Sequence, residues 1–77
     1  MRVVSIEYCT SWGYTPKAVR LASIFLENKK NQITELKIIP SSNGVFEVKF
    51  DNEVMFSKIK EGRFPSDVEM NDMTIQI

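Results

Sequence analysis

A single cysteine lies in the one segment of this chain whose residue types could carry out chemistry. Residues 8–15 read Tyr-Cys-Thr-Ser-Trp-Gly-Tyr-Thr and separate an apolar run from a helix that begins near Pro16. A cysteine at a strand-to-helix junction is where dithiol redox folds place their attacking sulfur. The second thiol of such a pair is expected three residues further on, and Trp12 occupies that position. The sequence therefore predicts thiol chemistry at Cys9 with an incomplete pair.

Other kinds of catalytic or metal site are excluded by the composition. The chain has 77 residues, no histidine and three dispersed glycines. Without histidine there is no Ser-His-Asp or Cys-His nucleophile pair, and a zinc site would need carboxylates almost alone. The glycines are too few for a phosphate-binding loop. The acidic residues near Asp51 lack the spacing of a calcium loop and are interpreted as a solvated hairpin turn. We therefore expect no metal and no bound cofactor.

Length and charge predict one small domain, residues 1–77, acting in the cytoplasm. Ten basic and ten acidic residues give a net charge of zero, and the cations are scattered, so no nucleic-acid partner is expected. No apolar run approaches the roughly 20 residues that cross a membrane, so no membrane partner is expected either. A single cysteine forms no internal disulfide, which favours a reducing compartment. The oligomeric state is not indicated.

Two interpretations of Cys9 follow from its position. The amides and positive dipole end of the next helix would stabilise its thiolate and lower its pKa. Alternatively, Cys9 is a buried and inert side chain, as free cysteines often are. With no resolving thiol, it could form mixed disulfides but could not release them through an internal disulfide.

The neighbouring aromatic residues also have two interpretations. Trp12 and Tyr14 either pack as core aromatics against the sheet or the helix, or form an exposed platform beside Cys9 that contacts a partner protein. Phe64 is a further candidate for partner contact.

The first half of the chain predicts a strand, a helix and a second strand. The run from Val3 to Tyr8 predicts a strand of about six residues that is buried on both faces. Thr15 is the expected N-cap of a helix with Pro16 at its first position. The apolar face of this helix has helical spacing and comprises Ala18, Leu21, Ala22 and Phe25, and it is broadened by the flanking residues Val19, Ile24 and Leu26. Residues 33–39 predict the second strand, and residues 40–44 predict a turn.

The second half predicts a hairpin and a short helix. Residues 45–50 alternate between apolar and polar side chains, residues 51–52 form the turn, and residues 53–59 return as the next strand. Residues 60–63 are predicted to be a loop. Ser66 and Glu69 have capping-box spacing, so a helix is expected to begin after Pro65. Residues 74–77 alternate and are compatible with either a strand or a frayed helix. The order is β-α-β-β-β-α, which predicts a mixed four-stranded sheet in a two-layer α/β (α+β) sandwich.

Several segments of the chain together resemble selenoprotein W and its bacterial relatives, the Rdx family of thioredoxin-like proteins. The likeness includes residues 3–9, Gly13-Tyr14, residues 44–48, Phe56-Ser57-Lys58, and residues 62–65. The resemblance implies a thioredoxin-like fold and a Cys-x-x-Sec or Cys-x-x-Cys motif. Cys9 matches its first position, and Trp12 falls on the second.

This departure leads to a hypothesis about position 12. Selenocysteine is encoded by UGA, which some genetic codes, misreadings or expression designs turn into Trp, so Trp12 is interpreted as a replacement of a native selenocysteine. The resemblance then implies a thiol/selenol redox protein in cell redox homeostasis. Cys9 and position 12 would be its catalytic pair, and glutathione or thiol/disulfide proteins would be its partners. As an enzyme it would be a glutathione- or thioredoxin-dependent oxidoreductase, impaired in the Trp12 form. The alternative function is a non-catalytic interaction module that uses Trp12 and Tyr14.

Overall fold

The computed structural model describes residues 2–77 as a four-stranded mixed sheet with helices packed on it. The strands are β1 (Arg2–Cys9), β2 (Ile33–Ser41), β3 (Phe46–Phe50) and β4 (Glu53–Ser57). The helices are α1 (Thr15–Lys29), α2 (Lys58–Glu61) and α3 (Asp67–Ile75), and a 3₁₀ turn (Lys30–Gln32) follows α1. The predicted fold class, a two-layer α/β sandwich, is confirmed.

The sheet has the strand order β2-β1-β3-β4. Strands β1 and β2 pair in parallel across the α1 connection, whereas β3 is antiparallel to both β1 and β4. The hairpin turn lies at the predicted residues, and Asp51 and Asn52 both have positive φ angles, of 52° and 74°. Because β1 is central, its carboxyl end at Cys9 is flanked by both of its neighbours.

The hydrophobic core lies between the sheet and the helices. Along β1, Val4 and Ile6 are fully buried, whereas Val3, Ser5 and Glu7 at the alternate positions are only half-buried. The prediction of a strand buried on both faces was therefore wrong, because the helices cover one face of this sheet. The buried residues of α1 are Ala18, Leu21, Ala22 and Phe25, as predicted. The apolar face is narrower than predicted, because Val19 and Leu26 at its flanks are exposed. Met73 of α3 completes the buried set on the same side.

Helix α1 begins one residue earlier than predicted. Tyr14 is its N-cap, so Thr15 is already helical and Pro16 takes the second position. The Thr15 side chain therefore does not cap the helix. Proline tolerates this place as well as the first, because the N–H groups of the first turn have no partner within the helix.

Two strand ends differ from the prediction. Strand β2 continues through Pro40 to Ser41, because β1 supplies pairing partners as far as Cys9. Strand β4 stops at Ser57, and residues predicted as strand and loop form α2 instead. The Ser57 side chain caps α2 by accepting a hydrogen bond from the Lys60 amide at 3.3 Å, and Gly62 ends the helix in the left-handed conformation. Two short-range signals, a serine cap and a glycine stop, thus override the strand pattern.

The last helix confirms the capping-box prediction. The Glu69 amide donates to Ser66 Oγ at 3.2 Å, and the Ser66 amide donates to Glu69 Oε1 at 2.9 Å. The tail left open by the sequence is helical as far as Ile75. Among residues 2–77 no helix is both long enough and apolar enough to span a membrane.

Candidate active site

Cys9 is the last residue of the central strand and is held there by backbone hydrogen bonds to both neighbouring segments. Its amide donates to the Val45 carbonyl at 2.8 Å, and the amide of Thr10 donates to the Ser41 carbonyl at 3.2 Å. The Cys9 side chain is 1% exposed and belongs to the hydrophobic core cluster. Backbone pairing within the sheet therefore fixes the position of Cys9.

The surroundings of Cys9 favour its thiolate in spite of this burial. Burial raises the pKa of the Cys9 thiol, whereas hydrogen bonds from backbone groups of Gly44, Ser11 and Trp12 lower it. The hydrogen bonds together have the larger effect, so the pKa lies below the usual value. The stabilising groups come from the loop after Cys9 and from the turn before β3. None of these three residues belongs to α1, whose first turn was predicted to supply the stabilising amides.

Trp12 lies on the surface above this site. It is 65% exposed, yet its ring packs against Gly44, where an added Cβ atom would lie 2.6 Å from Trp12 Cζ3. Gly44 has a φ of +71°, a conformation that glycine adopts freely. Gly44 therefore has two roles at this site, since it stabilises the Cys9 thiolate and gives the Trp12 ring room to approach the backbone.

Position 12 and Cys9 differ sharply in exposure, although only two residues separate them. Gly13, with a φ of +72°, follows Trp12 and turns the chain into α1. The loop thus projects the position-12 side chain into solvent while the sulfur of Cys9 stays below it. The side chain at position 12 is therefore accessible to other molecules, whereas Cys9 is not.

Tyr14 belongs to the core and not to an exposed platform. It is 8% exposed, and its ring makes edge-to-face contacts with Trp12, at 6.2 Å between centroids, and with Phe64, at 4.7 Å. Phe64 in turn lies 5.3 Å from Phe46. Each interpretation therefore applies to one of the two residues: Trp12 is exposed beside Cys9, and Tyr14 is packed as a core aromatic.

A groove opens beside Phe64 on the helix side of the sheet. It has a volume of about 270 Å³. Its apolar wall is formed by Leu21, Phe46, Phe64, Pro65 and Met70, and its charged residues are Lys17, Arg20 and Asp67. We call this feature the Phe64 groove. Among residues 2–77 no group of three or more His, Cys, Asp or Glu side chains is placed to hold a metal ion.

Sequence reasoning identified Cys9, position 12, Tyr14 and Phe64 but missed the parts of the site that come from distant segments. Gly44 was treated only as a turn residue, although its place in the Asn43-Gly44 turn gave a signal for a left-handed backbone. Lys17 and Lys58 gave no signal, because nothing local shows that both approach Phe64.

Comparison with known proteins identifies relatives of this chain. A model of the Rdx family matches residues 3–73. A SelT-like protein of Arabidopsis thaliana is 53% identical over 32 residues, which is 42% of this chain. That match spans only 15% of the length of the plant protein.

Two solved structures share the fold. A crystal structure of a protein from Bordetella parapertussis has a TM-score of 0.88 at 20% identity, covering 97% of this chain and 94% of the other. A selenoprotein W-related protein from Vibrio cholerae has a TM-score of 0.82 at 19% identity, covering 95% of this chain and 96% of the other. These similarities confirm the thioredoxin-like two-layer architecture.

Proposed function

This chain belongs to the Rdx family, and we propose that it is a thiol/selenol redox protein whose reactive pair is Cys9 and position 12. The contrast in exposure between the two positions is the observation that carries the proposal. A side chain at position 12 is 65% exposed, whereas Cys9 is 1% exposed and has a lowered pKa. This arrangement suits an attacking group at position 12 and a resolving thiolate at Cys9.

We further propose that the native residue at position 12 is selenocysteine. The Trp12 ring has no chemistry to contribute to thiol exchange, yet it occupies the exposed end of the loop, three residues after a cysteine with a stabilised thiolate. Its ring also reaches over the backbone that stabilises Cys9. A smaller selenol at this position would leave the space above Gly44 open to a substrate.

With selenocysteine at position 12, one catalytic cycle would transfer two electrons from glutathione to a substrate disulfide. The selenolate attacks one sulfur of a substrate disulfide, so that a Se–S bond forms, the S–S bond breaks and the first thiolate leaves with a proton from solvent. The Cys9 thiolate then attacks selenium and expels the second substrate thiolate. Two glutathione thiols reduce the resulting selenenylsulfide and leave as glutathione disulfide. The substrate gains the two electrons that glutathione loses.

In the Trp12 form only the Cys9 thiol remains for this chemistry. Its thiolate could attack a disulfide, expel one thiolate and form a mixed disulfide, which a glutathione thiol would have to release by attack on the substrate sulfur. Burial of Cys9 beneath the loop opposes that attack, so activity in this form is impaired. We place the protein in the cytoplasm, since a single cysteine suits a reducing compartment.

A non-catalytic interaction module is the second candidate function, and the exposure of Trp12 favours it. Tyr14, which was expected to share this role, is packed in the core and offers little surface. In this version Trp12 is native and serves as the contact residue, while Cys9 has only a structural role.

The codon at position 12 separates the two functions. A UGA codon in the source gene, together with selenium in the protein isolated from that source, is expected for the redox protein. A UGG codon would overturn the selenocysteine proposal and leave the interaction module.

Redox competence has its own test, which uses the single cysteine. Thiolate absorbance is measured against pH, with Cys9→Ser as the blank, and the Cys9 pKa is expected to lie below that of free cysteine. The variant Trp12→Cys is expected to form an internal disulfide and to reduce small disulfides with glutathione, whereas Trp12→Ser is not. An unshifted pKa, together with an inactive Trp12→Cys variant that folds normally, would rule out a redox pair at these positions.

A further inference from the structure

We propose that the Phe64 groove is the docking site for an acidic segment of a partner protein. One apolar side chain of that segment enters the groove, and acidic residues precede and follow it in the partner's sequence. The proposal deepens the proposed redox function and rests on it in one respect, because the docked partner would carry the disulfide that is reduced at position 12. The binding step itself needs no redox chemistry.

The apolar wall and size of the groove suit one large side chain. Leu21, Phe46, Phe64 and Met70 line it, and its volume is about 270 Å³. Sites for drug-sized molecules range from about 300 to 1,000 Å³. The groove lies just below that range, which favours the anchor residue of a polypeptide.

Two lysines have aromatic neighbours and, in the part of the chain that the structure describes, no carboxylate partner: Lys17, which lines the groove, and Lys58, which lies near Phe64 on its wall. Lys17 Nζ lies 4.6 Å from the centroid of Phe64, and Lys58 Nζ lies 5.4 Å from Phe64 and 5.5 Å from Tyr14. The ion pairs found within residues 2–77 involve Arg2, Arg20, Lys37 and Arg63, and neither of these lysines. Both ammonium groups therefore remain available to a carboxylate from another molecule.

The charges around the groove are unbalanced in a chain that is neutral overall. Arg20 pairs with Asp67 at 3.8 Å, so these two charges offset each other. Lys17 and Lys58 add two positive charges with no anion of their own. This local excess of positive charge is complementary to an acidic segment and would also speed its encounter with the protein.

Helix stability alone does not account for Lys17. It lies in the first turn of α1, which contains no acidic residue, and cations at this end of a helix oppose its dipole. A glutamate would stabilise the helix better at the same place. The lysine is therefore better explained by what it faces, which is the Phe64 ring.

The groove is connected to the candidate active site by contact. Phe46 on its wall follows Val45, whose carbonyl accepts the hydrogen bond from the Cys9 amide at 2.8 Å. The rings of Phe64, the buried Tyr14 and Trp12 also form consecutive edge-to-face pairs, with centroids 4.7 Å and 6.2 Å apart. A segment anchored at Phe64 would thus present its neighbouring residues to position 12.

The proposal is tested by fluorescence anisotropy with labelled, cysteine-free synthetic peptides. The probe is a short peptide with one Phe between Asp and Glu residues, and its matched partners replace the acids by Lys or the Phe by Ala. The acidic Phe peptide is expected to bind the unaltered chain about tenfold more tightly than either partner peptide, with an affinity that falls as salt rises.

Charge-reversed proteins locate the site. Lys17→Glu combined with Lys58→Glu is expected to weaken binding of the acidic peptide about tenfold and to improve binding of the Lys peptide. The matched control, Lys29→Glu with Lys30→Glu, makes the same charge change at the far end of α1 and is expected to leave the Kd unchanged. Circular dichroism verifies that each variant is folded.

Each outcome decides the proposal. Equal weakening by both pairs of substitutions would mean diffuse charge attraction and would overturn it, as would equal affinity for the acidic and basic peptides. Exchange between the Trp12→Cys variant and the neutral bis(2-hydroxyethyl) disulfide is measured separately. Loss of that exchange with binding intact would reject only the redox function, whereas intact exchange without peptide selectivity would reject only the docking site.

Discussion

At the scale of single residues, Gly44 links the two positions on which the function depends. Its backbone lowers the pKa of the Cys9 thiol, and its missing side chain makes room for the Trp12 ring. Gly13 has a similar φ of +72°, but an added Cβ atom there would meet no atom within 4 Å. Substitutions at the two glycines therefore distinguish two free-energy costs: that of a left-handed backbone alone at Gly13, and that of the same backbone plus a steric clash at Gly44.

This difference predicts the effects of alanine substitution. Gly13→Ala is expected to lower the free energy of unfolding by about 1–2 kcal/mol, the cost of placing an L side chain in the left-handed region. Gly44→Ala is expected to cost more, because the new methyl group also displaces the Trp12 ring. Urea denaturation measures both changes, and fluorescence of Trp12, the only tryptophan, reports the displacement of the ring.

A double substitution controls this prediction. In a Trp12→Ala background the ring is absent, so Gly44→Ala and Gly13→Ala are expected to cost the same. If Gly44→Ala already matches Gly13→Ala in the unaltered chain, the packing of Trp12 on Gly44 contributes nothing to stability.

At the scale of elements, Glu69 ties the start of α3 to the loop that carries Phe64. Its carboxylate accepts hydrogen bonds from the Ser66 amide at 2.9 Å and from Arg63 Nη2 at 2.9 Å, with a second bond from Arg63 Nη1. The Arg63 bonds, followed by the Ser66 amide, lower the pKa of Glu69 from 4.5 to about 2. One carboxylate thus holds both ends of the Phe64-Pro65 segment.

The lowered pKa predicts a loss of stability in acid. Between pH 4.5 and pH 2 the unfolded state binds more protons at Glu69 than the native state does, so stability falls as the pH is lowered through this window. Glu69→Gln is expected to lower the Tm at neutral pH and to flatten this acid slope. Thermal unfolding followed by circular dichroism across the window measures both effects.

Glu53→Gln is the matched control for the acid slope, since it makes the same change at an exposed residue at the start of β4. It is expected to leave the slope intact. An acid slope in Glu69→Gln equal to that of the unaltered chain would show that other carboxylates govern acid unfolding.

At the scale of the whole molecule, a chain of 77 residues has one small core, and its stability depends on the aromatic pair in that core. Phe25 of α1 is fully buried and makes an edge-to-face contact with Phe50 of β3, with centroids 5.7 Å apart. The pair joins the helix layer to the sheet. Domains of this size are only marginally stable, because they bury a smaller share of their surface than large ones do.

Truncation of Phe25 is therefore expected to unfold much of the protein. Phe25→Ala should cost about 3–5 kcal/mol, from the lost transfer free energy and the cavity left behind. That loss is comparable with the lower end of protein stability, about 5 kcal/mol. Near-ultraviolet circular dichroism and urea denaturation at room temperature measure the folded fraction.

Val19→Ala provides the comparison on the same helix, because Val19 is about half exposed. Its expected effect is within about 0.5 kcal/mol, as for most surface substitutions. A small loss on Phe25→Ala, similar to that of Val19→Ala, would mean that the core does not depend on the contact between the two layers.

The sequence alone determined the parts of this protein that depend on short-range patterns. Helical spacing identified the four buried residues of α1, alternation identified β3, and the Ser66–Glu69 spacing identified the start of α3. These predictions succeeded because caps, turns and periodic apolar faces act over a few residues. A lone cysteine at a strand end likewise directed attention to Cys9, and the resemblance carried by scattered segments indicated the family.

Only the tertiary structure decided how distant segments complete the site. It covered one face of the sheet, brought Gly44 to Cys9 and Trp12, and placed Lys17 and Lys58 beside Phe64. It also assigned Trp12 to the surface and Tyr14 to the core. Except for Lys58 and Phe64, these contacts join residues that are tens of positions apart, and they follow from the order and register of the strands. Local sequence preferences do not predict these contacts, because the sheet must form before these side chains meet.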